Sequence, residues 1–272
     1  MRILVFVLML ALTAPAAAQT VERAYGRDAR QRLDFTPAAA PGAPLVLFIH
    51  GGAWSFGDKR AAAHMAAHFH EAGYAFAAIN YRLVPHVNVD DQANDVAAAL
   101  ASLVADARRD GVDPGRIVMI GHSAGAHLAA LVGTDPSYLT AHGIRLSAIG
   151  IVLLDGAGYD IARQIQSARP LLRRLYVEAF GPDGRDHRTL SPTTHAAATN
   201  AAEFLILHVD GRGDSRAQSG LLAAGLQAAQ TPATVAAVDG THAQIFRRFG
   251  EPGHRATELT DAFVQRRFGT SR

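Results

Sequence analysis

Ile117-Val118-Met119-Ile120-Gly121-His122-Ser123-Ala124-Gly125-Ala126-His127-Leu128-Ala129-Ala130-Leu131-Val132 reads as a short apolar strand, a turn of small residues and an Ala-rich helix. The run before Gly121 has the length and the β-branched content of a buried strand. The pattern Gly121-x-Ser123-x-Gly125 then marks a strand-to-helix elbow. Such a turn forces its serine into a strained backbone conformation, so the neighbours have to be small. Gly121 and Gly125 permit close approach of helix and strand, and Ala124 adds little bulk. The turn lifts the Ser123 hydroxyl clear of the sheet and aims the Ala124 amide, at the positive end of a helix, toward charge developing next to it. As a bare pattern G-x-S-x-G is common in Gly-rich chains. Its weight comes from standing between a strand and a helix.

Working outward, the chain alternates. Short apolar or β-rich runs at 45–50, 74–81, 117–121, 149–155, 204–209 and 234–238 read as strands, and 61–72, 90–109, 124–132, 217–229 and 256–268 as helices. Two further strands, 21–25 and 31–35, flank a Gly-Arg-Asp turn at the start. Alternation of this kind predicts βαβ units and an α/β fold with a mostly parallel, doubly wound sheet covered on both faces. Right-handed crossovers then place the strand C-terminal ends on one edge, where open α/β sheets bind ligands. The segment 156–198 breaks the rhythm: it is longer than an ordinary crossover and holds Pro170, Pro182 and Pro192. It is expected to be a cap-like excursion over that edge.

His50-Gly51-Gly52-Ala53-Trp54 ends the strand beginning at Leu45. Two consecutive glycines let a chain turn its amides inward, and a tetrahedral oxyanion needs backbone N–H donors that are already oriented. Gly52, Ala53 and Ala124 are the expected oxyanion donors. Trp54 and Tyr81 are candidates for the substrate pocket, with core packing as the alternative for each.

These motifs together resemble the hormone-sensitive-lipase-like branch of the α/β-hydrolases, close to small esterases with an HGGxW signature that feruloyl-esterase-like and kynurenine-formamidase-like enzymes share. Tyr25-Gly26, Leu33-Asp34, Asn80-Tyr81-Arg82-Leu83, Phe180-Gly181 and Ser191-Pro192 carry the resemblance beyond the two central motifs. It implies the α/β-hydrolase fold, a Ser-His-acid triad, a backbone oxyanion hole and no cofactor or metal. The triad order along such chains is serine, acid, histidine. Of 13 histidines, His242 in Asp239-Gly240-Thr241-His242-Ala243 stands where the family's P-G-x-x-H loop stands. The acid is expected after the strand 204–209, in Asp210-Gly211-Arg212-Gly213-Asp214-Ser215. Ser215 and Gln218 suggest an S-x-x-Q capping box that would leave Asp214 free outside the helix, so Asp214 is preferred, with Asp210 as the alternate acid.

The 272 residues are 49% hydrophobic, with 26 Lys and Arg against 24 Asp and Glu and no cysteine. Disorder, thiol chemistry and disulfides are thereby excluded, and without a basic run a nucleic-acid partner has no support. Arg2, the apolar run 3–12 and Ala16-x-Ala18 form a signal-peptide pattern, so the expectation is removal of 1–18, export to the periplasm or beyond, and no stable membrane insertion afterwards. Residues 19–272 would then be one hydrolase domain. His64 and His68, four apart on a helix, are read as separately satisfied side chains in preference to a metal pair. His122 and His127 are read as packing or supporting groups, and Asp95 as a structural polar contact. Gly211-Arg212-Gly213-Asp214-Ser215 also matches an adhesive tripeptide context, but a triad acid explains its aspartate better.

The expected function is hydrolysis of a small-molecule ester with a small to medium acyl chain through an acyl-enzyme. A formamidase-type amide hydrolase, an acyltransferase and a non-catalytic binding protein are the alternatives. Oligomeric state is not legible.

Overall fold

The computed structural model describes residues 19–182, 184 and 186–269, so the signal-peptide pattern lies outside the described residues. Eight strands form one sheet in the order β1-β2-β4-β3-β5-β6-β7-β8. They are β1 (Val21–Ala24), β2 (Arg32–Thr36), β3 (Ala43–Ile49), β4 (Ala75–Ile79), β5 (Val112–His122), β6 (Ile149–Leu154), β7 (Glu203–Val209) and β8 (Ala233–Val238). β2 is antiparallel to β1 and to β4; from β4 across to β8 every pair is parallel. The parallel part has the connecting helices that parallel pairing requires. Four of them are α1 (Ala63–Glu71), α2 (Val89–Asp110), α3 (Ala124–Thr134) and α8 (Gly213–Ala228), with short α4 (Ser137–Thr140) after α3; α9 (Gln244–Arg247) and α10 (Arg255–Phe268) follow β8.

Burial follows position in the sheet. Every residue of β3 and of β6 is buried, as are Val118, Met119 and Ile120 in β5. β8, at the edge, exposes half of its residues. The two faces carry separate cores, one under α2 and α3 and one under α1 and α10, which is why the central strands read as unbroken apolar runs.

Segment 156–198 lies between β6 and β7. It contains α5 (Ile161–Ser167), α6 (Pro170–Phe180) and α7 (Pro192–His195). α6 is anchored from below: Trp54 meets Phe180 edge-on at 4.7 Å and tilts against Tyr176 at 5.8 Å. α6 exposes Leu171, and in part Leu172.

Candidate active site

The C-terminal ends of β3, β5, β6, β7 and β8 meet around one cavity of 570 Å³, lined by residues of the His50–Trp54 stretch, of the Ser123 elbow and of the loops after β7 and β8. At the end of β5, Ser123 has φ 55° and ψ −118°, a backbone conformation that a non-glycine residue holds only when its surroundings impose it. They do so by contact. A Cβ on Gly121 would come within 2.2 Å of Gly125 O, and one on Gly125 within 2.1 Å of Ile49 O. The Ser123 amide is tied to Leu154 O at 3.0 Å.

His242, in the loop after β8, brings Nε2 to 2.9 Å from Ser123 Oγ. Its Nδ1 lies 2.6 Å from Oδ2 of Asp155, the first residue past β6. With Nδ1–H donating to the carboxylate, Nε2 is left free to accept the serine proton. His122 supports this loop by donating from Nε2 to His242 O at 2.9 Å, and its ring lies 4.8 Å from that of His242. Burial, then the neighbouring His242, push the His122 imidazole down to about 4, so it serves as a neutral donor.

The carboxylate that meets His242 is therefore neither of the two that the sequence reading singled out. Asp214 lies inside the first turn of α8 and meets Arg212 Nη2 at 3.2 Å. Asp210 is exposed and accepts the Gly211 amide at 3.0 Å. The expected capping box does not form. Ser215 Oγ goes to Gly156 O and Gln218 to the Asp160 amide, so α8 begins at Gly213 and carries Asp214 with it. Asp155 is fully buried with φ 47°. Burial raises its carboxyl, but the hydrogen bond from His242, the Arg212 charge and the Val209 amide outweigh that and hold it well below the usual carboxylate range. A single carboxylate closing the apolar strand run Ile149–Leu154 was the available signal. A buried charge there needs partners, and it lies between Ser123 and His242 in chain order.

The loop after β3 turns as its glycines suggested. Gly52 has φ 127°, Ala53 φ 47° and Trp54 φ 61°. Gly52, Ala53 and Ala124 line the cavity beside Ser123, and among the described residues their amides donate to no other group of the chain. The loop is braced from outside: Gln92 Nε2 donates to Trp54 O at 2.7 Å, and the Phe56 amide to Gly52 O at 2.8 Å. Trp54 is both wall and core. It lines the cavity while only 2% exposed, and its Nε1–H donates to His127 Nδ1 at 3.3 Å; His127 Nε2–H then donates to Leu190 O at 2.8 Å. Tyr81 corrects a second expectation. It is fully buried, stacks on His50 at 4.3 Å, donates to His50 O at 2.8 Å and does not line the cavity. An aromatic beneath the strand end has no route to substrate.

Leu172, Leu175, Tyr176, Phe56, Phe246 and Ala157 give the rest of the cavity an apolar wall. His64 is bonded to Phe246 O and His68 to Asp261, so each has its own partner. Asp95 takes Arg82 in a forked pair and Gln31 as well. Arg212, the arginine of the adhesion-like tripeptide, is turned inward onto Asp155.

A sheet of this order with these strand-end loops matches solved esterase structures along almost the whole chain. Thermogutta terrifontis esterase 2 phosphonylated by sarin superposes with a TM-score of 0.78, covering 97% of this chain and 100% of that one at 21% identity. An inhibited esterase B from Lactobacillus rhamnosis superposes at 0.77, covering 93% and 87% at 21% identity. The fold is that of the α/β-hydrolases. Residues 34–143 of this chain match the family model described as BD-FAE. A probable carboxylic ester hydrolase, LipM, of Mycobacterium tuberculosis is 36% identical over 68% of this chain and 44% of its own length. A kynurenine formamidase of Danio rerio is 31% identical over 50% of this chain and 45% of its own length. The chain thus spans under half the length of either curated relative.

Proposed function

We propose that this α/β-hydrolase is a serine carboxylic-ester hydrolase with Ser123 as nucleophile, His242 as base and Asp155 as the acid that orients it. The observation that carries the reading is the hydrogen-bond sequence Ser123–His242–Asp155 beside three undonated amides. In this reading His242 takes the Ser123 proton as Oγ attacks the ester carbonyl. The Gly52, Ala53 and Ala124 amides receive the oxyanion, the alcohol leaves with the proton from His242, and water releases the acid from the acyl-enzyme. The apolar wall favours a small to medium acyl chain. The names of the curated relatives support ester hydrolysis and keep formamide cleavage as the second reading, since one of them is a kynurenine formamidase.

The test is hydrolysis of p-nitrophenyl acetate through octanoate beside N-formylkynurenine, for the wild type and Ser123→Ala. Ester turnover should fall by about 10⁴-fold or more in the variant. Faster cleavage of the formamide than of any ester would replace the ester reading, and turnover surviving in Ser123→Ala would remove the nucleophile. Export, proposed from the pattern in 1–18, is tested by N-terminal sequencing of the protein recovered outside the cytosol.

A further inference from the structure

The loop after β7 sends a guanidinium, not a carboxylate, toward His242. Arg212 Nη1 donates to Asp155 Oδ2, the same oxygen that accepts from His242, and lies 2.7 Å from His242 Nδ1. Its Nη2 reaches Asp214 Oδ2 at 3.2 Å. A guanidinium stays protonated and has no acceptor site, so it cannot take the imidazole proton. Two N–H groups therefore converge on Oδ2, while the Val209 amide at 3.1 Å occupies Oδ1. A carboxylate held at both oxygens cannot turn away from the imidazole. The charges also balance: Asp155 and Asp214 with Arg212 between them sum to one negative charge, as a lone acid would supply.

We propose that Arg212 is a positioning residue, which holds the Asp155 carboxylate in the plane that His242 needs and is itself held by Asp214. This rests on the reading of Ser123, His242 and Asp155 given above. Asp214 then belongs to the site at two removes from the base. The loop after β7 keeps a part in the geometry by bracing the acid.

The experiment compares Arg212→Met, Arg212→Lys, Asp214→Asn, Asp155→Asn and the double variant Asp155→Asn/Arg212→Met on p-nitrophenyl butyrate and on the anionic p-nitrophenyl hemisuccinate. Arg212→Met should lower kcat by roughly ten- to a hundredfold with KM unchanged on the neutral ester. Arg212→Lys should recover part of it through one remaining donor, and Asp214→Asn should lose only a few-fold. The double variant should be no slower than Asp155→Asn, because Arg212 acts through Asp155. A loss that persists in the Asp155→Asn background, or that falls on KM for the anionic ester alone, makes Arg212 a substrate contact and overturns the proposal. Wild-type kcat in Arg212→Met overturns it too. Full activity of Asp155→Asn sinks the underlying triad reading, and this proposal with it, whatever Arg212 does. If Arg212→Met does not fold, the lysine and Asp214→Asn variants carry the same comparison.

Discussion

The strand ends around the cavity divide into an inner and an outer half. β3, β5 and β6 are central and buried, and they end in Gly52 and Ala53, in Ser123 and in Asp155. β7 and β8 lie toward one edge and end in Arg212 and His242, whose side chains are 26% and 41% exposed against 0% for Asp155. Three residues of the inner half, Ala53, Ser123 and Asp155, have positive φ without being glycine, and the proposed mechanism needs each of them fixed. Such conformations persist only where the surroundings leave no alternative, and central parallel strands supply that. In the proposed mechanism the outer half holds the group that carries a proton between partners.

If this division is right, the largest effects belong inside. Asp155→Asn should lower kcat by about 10⁴-fold, since an amide cannot hold the imidazole in the tautomer that accepts from serine. Asp210→Asn, on an exposed carboxylate with only a backbone partner, should leave kcat within about twofold. The reverse ranking in steady-state kinetics would break the comparison. Next comes Gly52→Ala. Its φ of 127° and the Phe56 carbonyl 2.3 Å from a new Cβ leave no room, so the loop must shift and turn its amides away. A loss of about a hundredfold in kcat is expected, with thermal melting to confirm folding. Undiminished turnover would mean that this loop does not hold the oxyanion.

Legibility from sequence cuts across this division, because Asp155, on the inner half, was not singled out. The elbow and the Gly pair announce themselves because steric demand leaves few residues able to fill them: Gly121, Gly125 and Gly52 each face backbone atoms closer than a Cβ allows. His242 was found by its place after the last strand. The carboxylate beside His242 was missed because carboxylates are common in polar loops, and the loop after β7 offered two. Whether one of them reaches a histidine depends on where α8 starts, and that was settled by tertiary bonds of Ser215 and Gln218 that local pattern does not contain. Tyr81 was left between pocket and core, and its full burial beneath the strand end decides for the core. Trp54 divides evenly between wall and core because both readings describe it.

A stability effect sharpens the same contrast. His50, His122 and His127 all sit on the inner half, and burial pushes each down to about 4 from an ordinary 6.5. Above pH 6.5 they are neutral in folded and unfolded chains alike. As pH falls below that value the unfolded chain takes up protons that the native state refuses, so stability declines until about pH 4, where the native imidazoles also protonate. The three together contribute a slope of about 4 kcal/mol per pH unit near pH 5. His127→Gln should remove about a third of that slope in urea titrations across the window, although it lowers stability at pH 7 by loosening Trp54 and Leu190. An unchanged slope would mean that His127 is charged, or solvated, in the native protein.

The smallest effect is expected farthest from the inner strands, on α6. Leu175 is half-buried in the cavity wall, and its neighbour Leu172 is 39% exposed at the rim. Neither touches the reacting groups, so substitution there should change which acyl chain fits and leave the chemistry intact. Leu175→Phe should lower kcat/KM for octanoate relative to acetate by about tenfold, since one or two methylenes in an apolar pocket are worth roughly 1–3 kcal/mol. Activity on acetate should stay within about twofold, because the oxyanion loop and Ser123 are held from the sheet side. Should acetate fall as far as octanoate, α6 would be part of what positions Trp54 and the Gly52 loop beneath it, and the boundary between the halves would have to move outward to include the excursion.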